Sequence, residues 1–268
     1  MLKRILTAFL IVILITAIMP NALAVSVTVN NKPLTEGVSI YNATTYVPLR
    51  STAQLLNPAA KITWENSEAV VKTSDLTLTA RPGNYYIAAN GRMLFASDRV
   101  KLINGTTMVP VRALAKAFGA TVSWDGAIHR AYVSSGSGSI SSGDSFYDSE
   151  SVYWLSRIIE AEGTGEPLLG KIAVGNVILN RVASSEFPNT IHDVIFDDKW
   201  GIQFTPVANG TIYNTPTSES IIAAKLCLDG ASVVGNSLYF LNPQKSTNFW
   251  AVNNRAYVAT IGNHAFYA

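Results

Sequence analysis

The sequence predicts an α+β chain with a duplicated small α+β module in its first half and a mainly helical domain in its second. Three observations support this. One strand–helix–strand pattern occurs twice before residue 133, and a run of Ser and Gly interrupts the chain near its middle. Beyond that run, apolar residues recur at helical period and length.

The N-terminal end comes first. Lys3 and Arg4 precede an apolar run from Ile5 to Met19, followed by Pro20 and Ala22-Leu23-Ala24. A basic start, a short apolar core and small residues at alternate positions describe a secretory signal peptide over residues 1–24. The run is short for a membrane span of about 20 residues. The expectation is therefore a secreted protein, with no stable membrane insertion after cleavage.

Residues 25–133 contain the repeat. Thr44-Thr45-Tyr46-Val47-Pro48-Leu49-Arg50 returns as Thr106-Thr107-Met108-Val109-Pro110-Val111-Arg112. Helix-like segments follow, Ser51 to Leu56 and Ala113 to Phe118, and then strands ending in Trp64 and Trp124. The runs Val25 to Val29 and Tyr85 to Ala88 read as strands turned by Asn30-Asn31 and Asn90-Gly91. From Val25 to Val133 there are eleven Lys and Arg against six Asp and Glu. From Phe146 onward the balance reverses, with seven against eleven. A basic module joined to an acidic one predicts that the first holds an anionic surface.

Residues 134–145 read as a Ser/Gly linker, a flexible tether whose ten-residue core reaches roughly 17 Å. Residues 146–268 then form the second domain. Thr215-Pro216 predicts a helix with Thr215 as N-cap, running to Gly230. Pro167 opens a second, nearly all-apolar helix, which is the mark of a buried one. Cys227 is the chain's single cysteine and lies in an apolar helical stretch, so it reads as a buried structural thiol.

A third helix, Ser149 to Glu162, carries the chemistry. At 100° per residue Val152, Leu155, Ile159 and Glu162 fall within about 80° of one another. Tyr153, Ser156, Arg157 and Glu160 take the opposite face, where Glu160 is expected to pair with Arg157. Glu162 thus continues an apolar stripe. A carboxyl in such surroundings has its charged form disfavoured and its pKa raised, which makes a proton donor near neutral pH. A glutamate turned outward at a frayed helix end is the alternative that spacing leaves open.

Two resemblances extend these observations. The Val-Pro-x-Arg…Trp repeat of residues 25–133 resembles the module named after the N-terminal domain of copper amine oxidases. No copper chemistry follows, because His129 is the module's only histidine and a metal site needs several convergent ligands. In the second domain, Glu160-Ala161-Glu162-Gly163-Thr164-Gly165-Glu166-Pro167 resembles the spore cortex-lytic, germination-type cell-wall hydrolase family. So do Gln203-Phe204-Thr205-Pro206-Val207, Tyr239-Phe240-Leu241-Asn242-Pro243 and Ile261-Gly262-Asn263-His264-Ala265-Phe266. The resemblance implies a lysozyme-like domain that cleaves peptidoglycan between N-acetylmuramic acid and N-acetylglucosamine, with Glu162 as catalytic acid. It implies substrate contacts from Gln203, Phe204, Thr205, Tyr239 and Asn242. Glu166 is expected to tie the turn between helices, with Arg181 as its partner. Gly163-Thr164 stands where Ala-Arg is usual in that family.

Rival chemistries fit poorly. His192 and His264 are too few and too scattered for a zinc hydrolase, and no phosphate loop or nucleic-acid footprint is present. No cofactor or metal is expected. Of the outcomes the resemblance implies, lytic transglycosylation with Glu162 as general acid and base is expected, since it needs one carboxyl; Asp193, Asp197 and Asp198 stand as candidates for a second, as ordinary hydrolysis requires. A non-catalytic wall-binding or spore-coat protein that keeps the fold is the alternative from another class.

Overall fold

The computed structural model describes residues 25–34, 36–199 and 201–268, and the predicted signal segment lies outside them. In the first region β1 (Ser26–Val29) turns into β2 (Lys32–Leu34) through Asn30 and Asn31, both at positive φ. This is the backbone that a tight Asn-Asn hairpin requires. β3 (Ser39–Tyr41) and β4 (Thr44–Pro48) then lead to α1 (Leu49–Leu56). Next, β5 (Lys61–Glu65), β6 (Glu68–Lys72), β7 (Thr77–Ala80), β8 (Tyr86–Ala89) and β9 (Arg92–Phe95) form a five-stranded antiparallel meander in that order. β10 (Lys101–Ile103) and β11 (Thr106–Pro110) precede α2 (Val111–Ala117), and β12 (Thr121–Asp125) and β13 (Arg130–Ser134) close the region.

The two copies of the repeat meet in space. β4 and β11 pair antiparallel at the centre of the sheet β10-β11-β4-β3, with Val47 opposite Val109. Pro48 and Pro110 each sit at the N-cap of the following helix, where a missing N–H costs nothing and a fixed φ helps. β1 lies parallel to β13, joining the region's two ends in one sheet. His129 is exposed in the β12–β13 turn.

The second region contains α3 (Gly143–Phe146), α4 (Ser149–Gly163), α5 (Leu168–Ala183), α6 (Ile191–Phe196), α7 (Thr205–Asn209), α8 (Ser218–Leu228) and α9 (Trp250–Asn254). α4, α5 and α8 pack on one another around Leu155, Ile158, Ile159, Ile172, Ile178 and Leu226, all fully buried. Each such side chain contributes about 1.5–3 kcal/mol relative to exposure. Asp148 caps α4 by accepting a bond from Ser151 N at 2.7 Å. α5 is buried on nearly every face, as its composition predicts. Cys227 is buried against the Ile172 carbonyl, and burial pushes its thiol up, so it stays an inert thiol.

Three expectations are corrected. The N-cap of α8 is Thr217, whose hydroxyl accepts from Ser220 N, not Thr215; the Pro216 ring precedes the helix instead of occupying its first turn. The domain also has a three-stranded antiparallel sheet that helical period did not reveal. Its strands β14 (Tyr239–Leu241), β15 (Tyr257–Ile261) and β16 (His264–Tyr267) are ordered β14-β16-β15. Finally, the Ser/Gly stretch is no free tether. Ser135 N donates to Asn30 Oδ1, Ser139 N to Asp75 Oδ2 and Ile140 N to the Ala117 carbonyl. Ile140 is buried in the first region's core. A Cβ on Gly136 would overlap the Gly119 carbonyl, so this glycine permits a close backbone approach. Composition described what the stretch cannot bury, and missed where its backbone bonds go.

The two regions also share a buried contact. Arg92 of β9 forms an ion pair with Asp229, with side-chain exposures of 7% and 1%. The Tyr147 hydroxyl donates to the same carboxylate, Lys116 Nζ lies 3.0 Å from it, and the Arg92 guanidinium stacks 3.2 Å above the Phe146 ring. Burial works to raise the Asp229 carboxyl, but the bonds from Arg92, Tyr147 and Lys116 hold it below the usual range. No helix among the described residues is long and apolar enough to cross a membrane.

Candidate active site

Glu162 stands in the last turn of α4, where the phase set by Leu155 and Ile159 carries it beside the helical core. It is half-buried, and burial alone raises its carboxyl to about 7. It lines a cavity of about 700 Å³ with Gln203, Phe204, Thr205 and Asn242. The structure thus brings together four of the five predicted contact residues and the predicted acid. Phe204 is buried beneath the cavity, while Gln203 and Thr205 are exposed around it. The fifth, Tyr239, lines an adjoining cavity of about 790 Å³. Arg181, Gln203, Phe240, Leu241, Ser246 and Asn248 border both, so the two form one groove. A half-ionised carboxyl in a polar groove is able to give a proton at neutral pH and take it back.

Glu166 is buried and faces the same cavity, but its partner is not Arg181. Its carboxylate accepts from Asn263 N at 3.0 Å and Asn263 Nδ2 at 2.8 Å. It therefore ties the start of α5 to the β15–β16 turn. Gly262, at φ 60°, makes room, since a Cβ there would overlap Glu166 Oε2. His264 follows, with its Nδ1 3.8 Å from Glu166 Oε1, and burial lowers its pKa.

Glu160 departs from the expected solvated pair with Arg157. Its Oε2 accepts from Thr217 N at 3.0 Å, Thr217 Oγ1 at 2.6 Å and Ser220 Oγ at 2.7 Å. Burial acts to raise this carboxyl, but these bonds hold it below its usual value. Arg157 turns back on its own helix instead, with its guanidinium 3.6 Å above the Tyr153 ring. The cause is the approach of α8, which covers the face that α4 alone would leave to solvent; Ser156 on that face is only 2% exposed.

Arg181, near the end of α5, is 6% exposed. Its Nε donates to the Leu238 carbonyl at 2.8 Å, and its guanidinium lies within 4.8 Å, 5.2 Å and 5.5 Å of the Phe187, Phe204 and Tyr239 ring centroids. Burial pulls it down to about 10, which leaves it a cation at neutral pH. Thr164, in place of the family's usual arginine, donates its hydroxyl to the Glu160 carbonyl and closes the end of α4.

The cell wall hydrolase family matches residues 165–267, and the copper amine oxidase N-terminal domain matches residues 27–133. A spore cortex-lytic enzyme of Bacillus cereus is 39% identical over 120 residues, 45% of this chain and 45% of that one. The chain thus spans just under half the length of that relative. The cell wall hydrolase CwlJ of Oceanobacillus iheyensis is 32% identical over 96 residues, 34% of this chain and 67% of its own. The chain belongs to the cell wall hydrolase family. A solved structure, the catalytic domain of a germination-specific lytic transglycosylase from Bacillus anthracis, is 38% identical and aligns at a TM-score of 0.42. It covers 46% of this chain and 97% of that one.

In this cell wall hydrolase the remaining acidic candidates are dispersed. Asp193 lies on α6, bonded to His192, and borders a separate cavity with Trp154. Asp197 borders the Tyr239 cavity, and its Oδ1 accepts from Lys199 N. Asp198 is exposed and borders neither part of the groove. Sequence reasoning gave no role to Asn263, His264 or Lys245, which line the Glu162 cavity. The motif around Gly262 contains the first two; the signal lay in a positive-φ glycine followed by side chains able to bond a carboxylate.

Proposed function

We propose that this cell wall hydrolase cleaves the glycan strand of peptidoglycan between N-acetylmuramic acid and N-acetylglucosamine, as a lytic transglycosylase with Glu162 as general acid and base. One observation carries the proposal: Glu162 is the groove carboxyl whose pKa burial lifts to about 7. The similarity to spore cortex-lytic enzymes supports the substrate class. The family match begins at Gly165, so the role of Glu162 rests on its own geometry and on the quoted motif.

The protonated Glu162 gives its proton to the glycosidic oxygen as the C1–O bond breaks, and N-acetylglucosamine leaves with a free 4-hydroxyl. The resulting carboxylate then takes the proton of the C6 hydroxyl of N-acetylmuramic acid as that oxygen closes on C1. No water is consumed and Glu162 ends protonated. The other acid of its cavity, Glu166, is engaged by Asn263, which favours this one-carboxyl route over hydrolysis. Asp197 is the candidate second carboxylate for hydrolysis. Gln203, Thr205, Tyr239 and Asn242 would bond sugar hydroxyl and acetamido groups, with Phe204 as an apolar support. Residues 25–133 would hold the enzyme on anionic wall polymers outside the cell.

Mass spectrometry of muropeptides released from spore cortex and from vegetative sacculi tests this. Products ending in 1,6-anhydro-N-acetylmuramic acid are expected. Reducing ends would shift the assignment to hydrolysis, and absence of release from both would favour a wall-binding protein that keeps the fold.

A further inference from the structure

The groove contains a cation whose donors are not all used. Arg181 borders both of its cavities and is 6% exposed. Nε is bonded to the Leu238 carbonyl, but Nη1 is buried with no hydrogen-bond partner among the described residues. Asp197 acts on it only through space, and its Oδ1 is already engaged by the Lys199 backbone. Burying a charge without pairing it is costly, and a fold that merely needed volume at this position would use an apolar residue. The three rings around the guanidinium, with the bonded Nε, fix its plane before any ligand arrives. The same feature recurs across the Tyr239 ring. Arg255 lies 4.9 Å from that centroid and donates to the Tyr239 hydroxyl, and its Nε is likewise buried without a partner. Arg255 does have a counter-charge, Glu186 at 3.3 Å, so Arg181 is the cation left to be answered.

We infer that Arg181 is a specificity-determining residue of the groove, whose guanidinium binds a carboxylate carried by the glycan substrate. A planar fork with unused N–H groups matches a carboxylate better than a neutral carbonyl, because the pair also restores charge balance in a water-poor setting. Two parts of a peptidoglycan strand offer that group: the lactyl side chain of muramic acid once its peptide is removed, and the free carboxyls of the attached peptide. If the lactyl group is the one read, the reaction supplying this substrate is amide hydrolysis that strips peptides from the strand.

The inference rests on the glycan-strand function proposed above, and binding measurements separate the two. Calorimetry with the full chain carrying Glu162→Gln would use alternating tetrasaccharides of N-acetylglucosamine and N-acetylmuramic acid. One bears free lactyl carboxylates, one lactyl carboxamides, and a third pair bears peptides with free or amidated carboxyls. Binding at least about tenfold tighter to the carboxylate than to the matching carboxamide is expected, and the pair that shows it identifies the source. Arg181→Gln should abolish the preference, and Arg181→Lys, which keeps the charge but not the fork, should reduce it. Equal binding of charged and neutral ligands overturns the inference, as does a preference that survives in either variant. Should Arg181→Gln fail to fold, Arg181→Lys decides. Absence of binding to every glycan would instead remove the parent proposal.

Discussion

Glu162 and Glu160 stand two residues apart on one helix, and their surroundings push them in opposite directions. The folded chain keeps the Glu162 proton to about pH 7, whereas an unfolded chain releases it near 4.5. Stability therefore falls as pH rises from 4.5 to about 7, by on the order of 1–3 kcal/mol, and is level above that. Glu162→Gln removes this dependence: urea denaturation should show the variant gaining on the parent at pH 8 and not at pH 4. A gain that is the same at both pH values would contradict a buried acid. In turnover the sign is equally definite, since the proton must be present for the first step. kcat/KM should fall as pH rises above about 7. Glu160 contributes the other way, with stability present above its unfolded range and lost in acid. Glu160→Gln should cost about 1 kcal/mol at pH 7 by weakening the bonds to Thr217 and Ser220, seen as a lower melting temperature. Glu162 was legible from the sequence because four residues of helical phase place it on an apolar stripe. Glu160 was not, because the groups that hold it lie 57 and 60 residues further along the chain.

Secondary-structure elements were readable where local chemistry decides them. Asn30-Asn31 and Asn90-Gly91 turn hairpins because these residues tolerate positive φ, and the two Val-Pro copies end strands and start helices because proline has a fixed negative φ and no N–H. The β14-β16-β15 sheet escaped because its strands are short and its central pairing joins Tyr239–Leu241 to residues 265–267, a contact that no local period records. That sheet nonetheless positions the groove through its turn. Gly262→Ala would place a Cβ on Glu166 Oε2 at a backbone angle alanine disfavours, at a cost of about 1–3 kcal/mol. The Asn263 bonds should loosen with it. A lowered melting temperature and a rise in KM are expected; an unchanged protein would mean that the turn does not set the groove wall.

The whole molecule behaves as two modules joined by a polar lock instead of a loose string. Asp229 is 1% exposed and answers Arg92, Lys116 and Tyr147 together. Asp229→Asn would leave the Arg92 cation buried without its counter-charge, a loss of about 3–5 kcal/mol. Limited proteolysis between residues 134 and 145 should then quicken, whereas cutting at the parent's rate would show that the lock does not join the modules. A fragment starting near Phe146 loses Arg92 and Lys116, so it should fold less stably than the full chain. The net charges of the two halves were plain in the sequence, but this contact was not, since it gathers two of the basic module's eleven cations on one acid of the other domain. The same charge difference predicts that residues 25–133 bind sacculi less tightly as salt rises. Salt-insensitive binding would transfer that role to exposed aromatics such as Trp64 and Trp124.

The most direct test is the rate at which the full chain carrying Glu162→Gln clears a peptidoglycan suspension, with circular dichroism to show that the fold is kept. The substitution preserves shape and removes the transferable proton, so binding to sacculi should persist while clearance falls by at least 10²–10⁴. Clearance at the parent's rate by a folded Glu162→Gln protein would contradict the assignment of Glu162 as the catalytic acid.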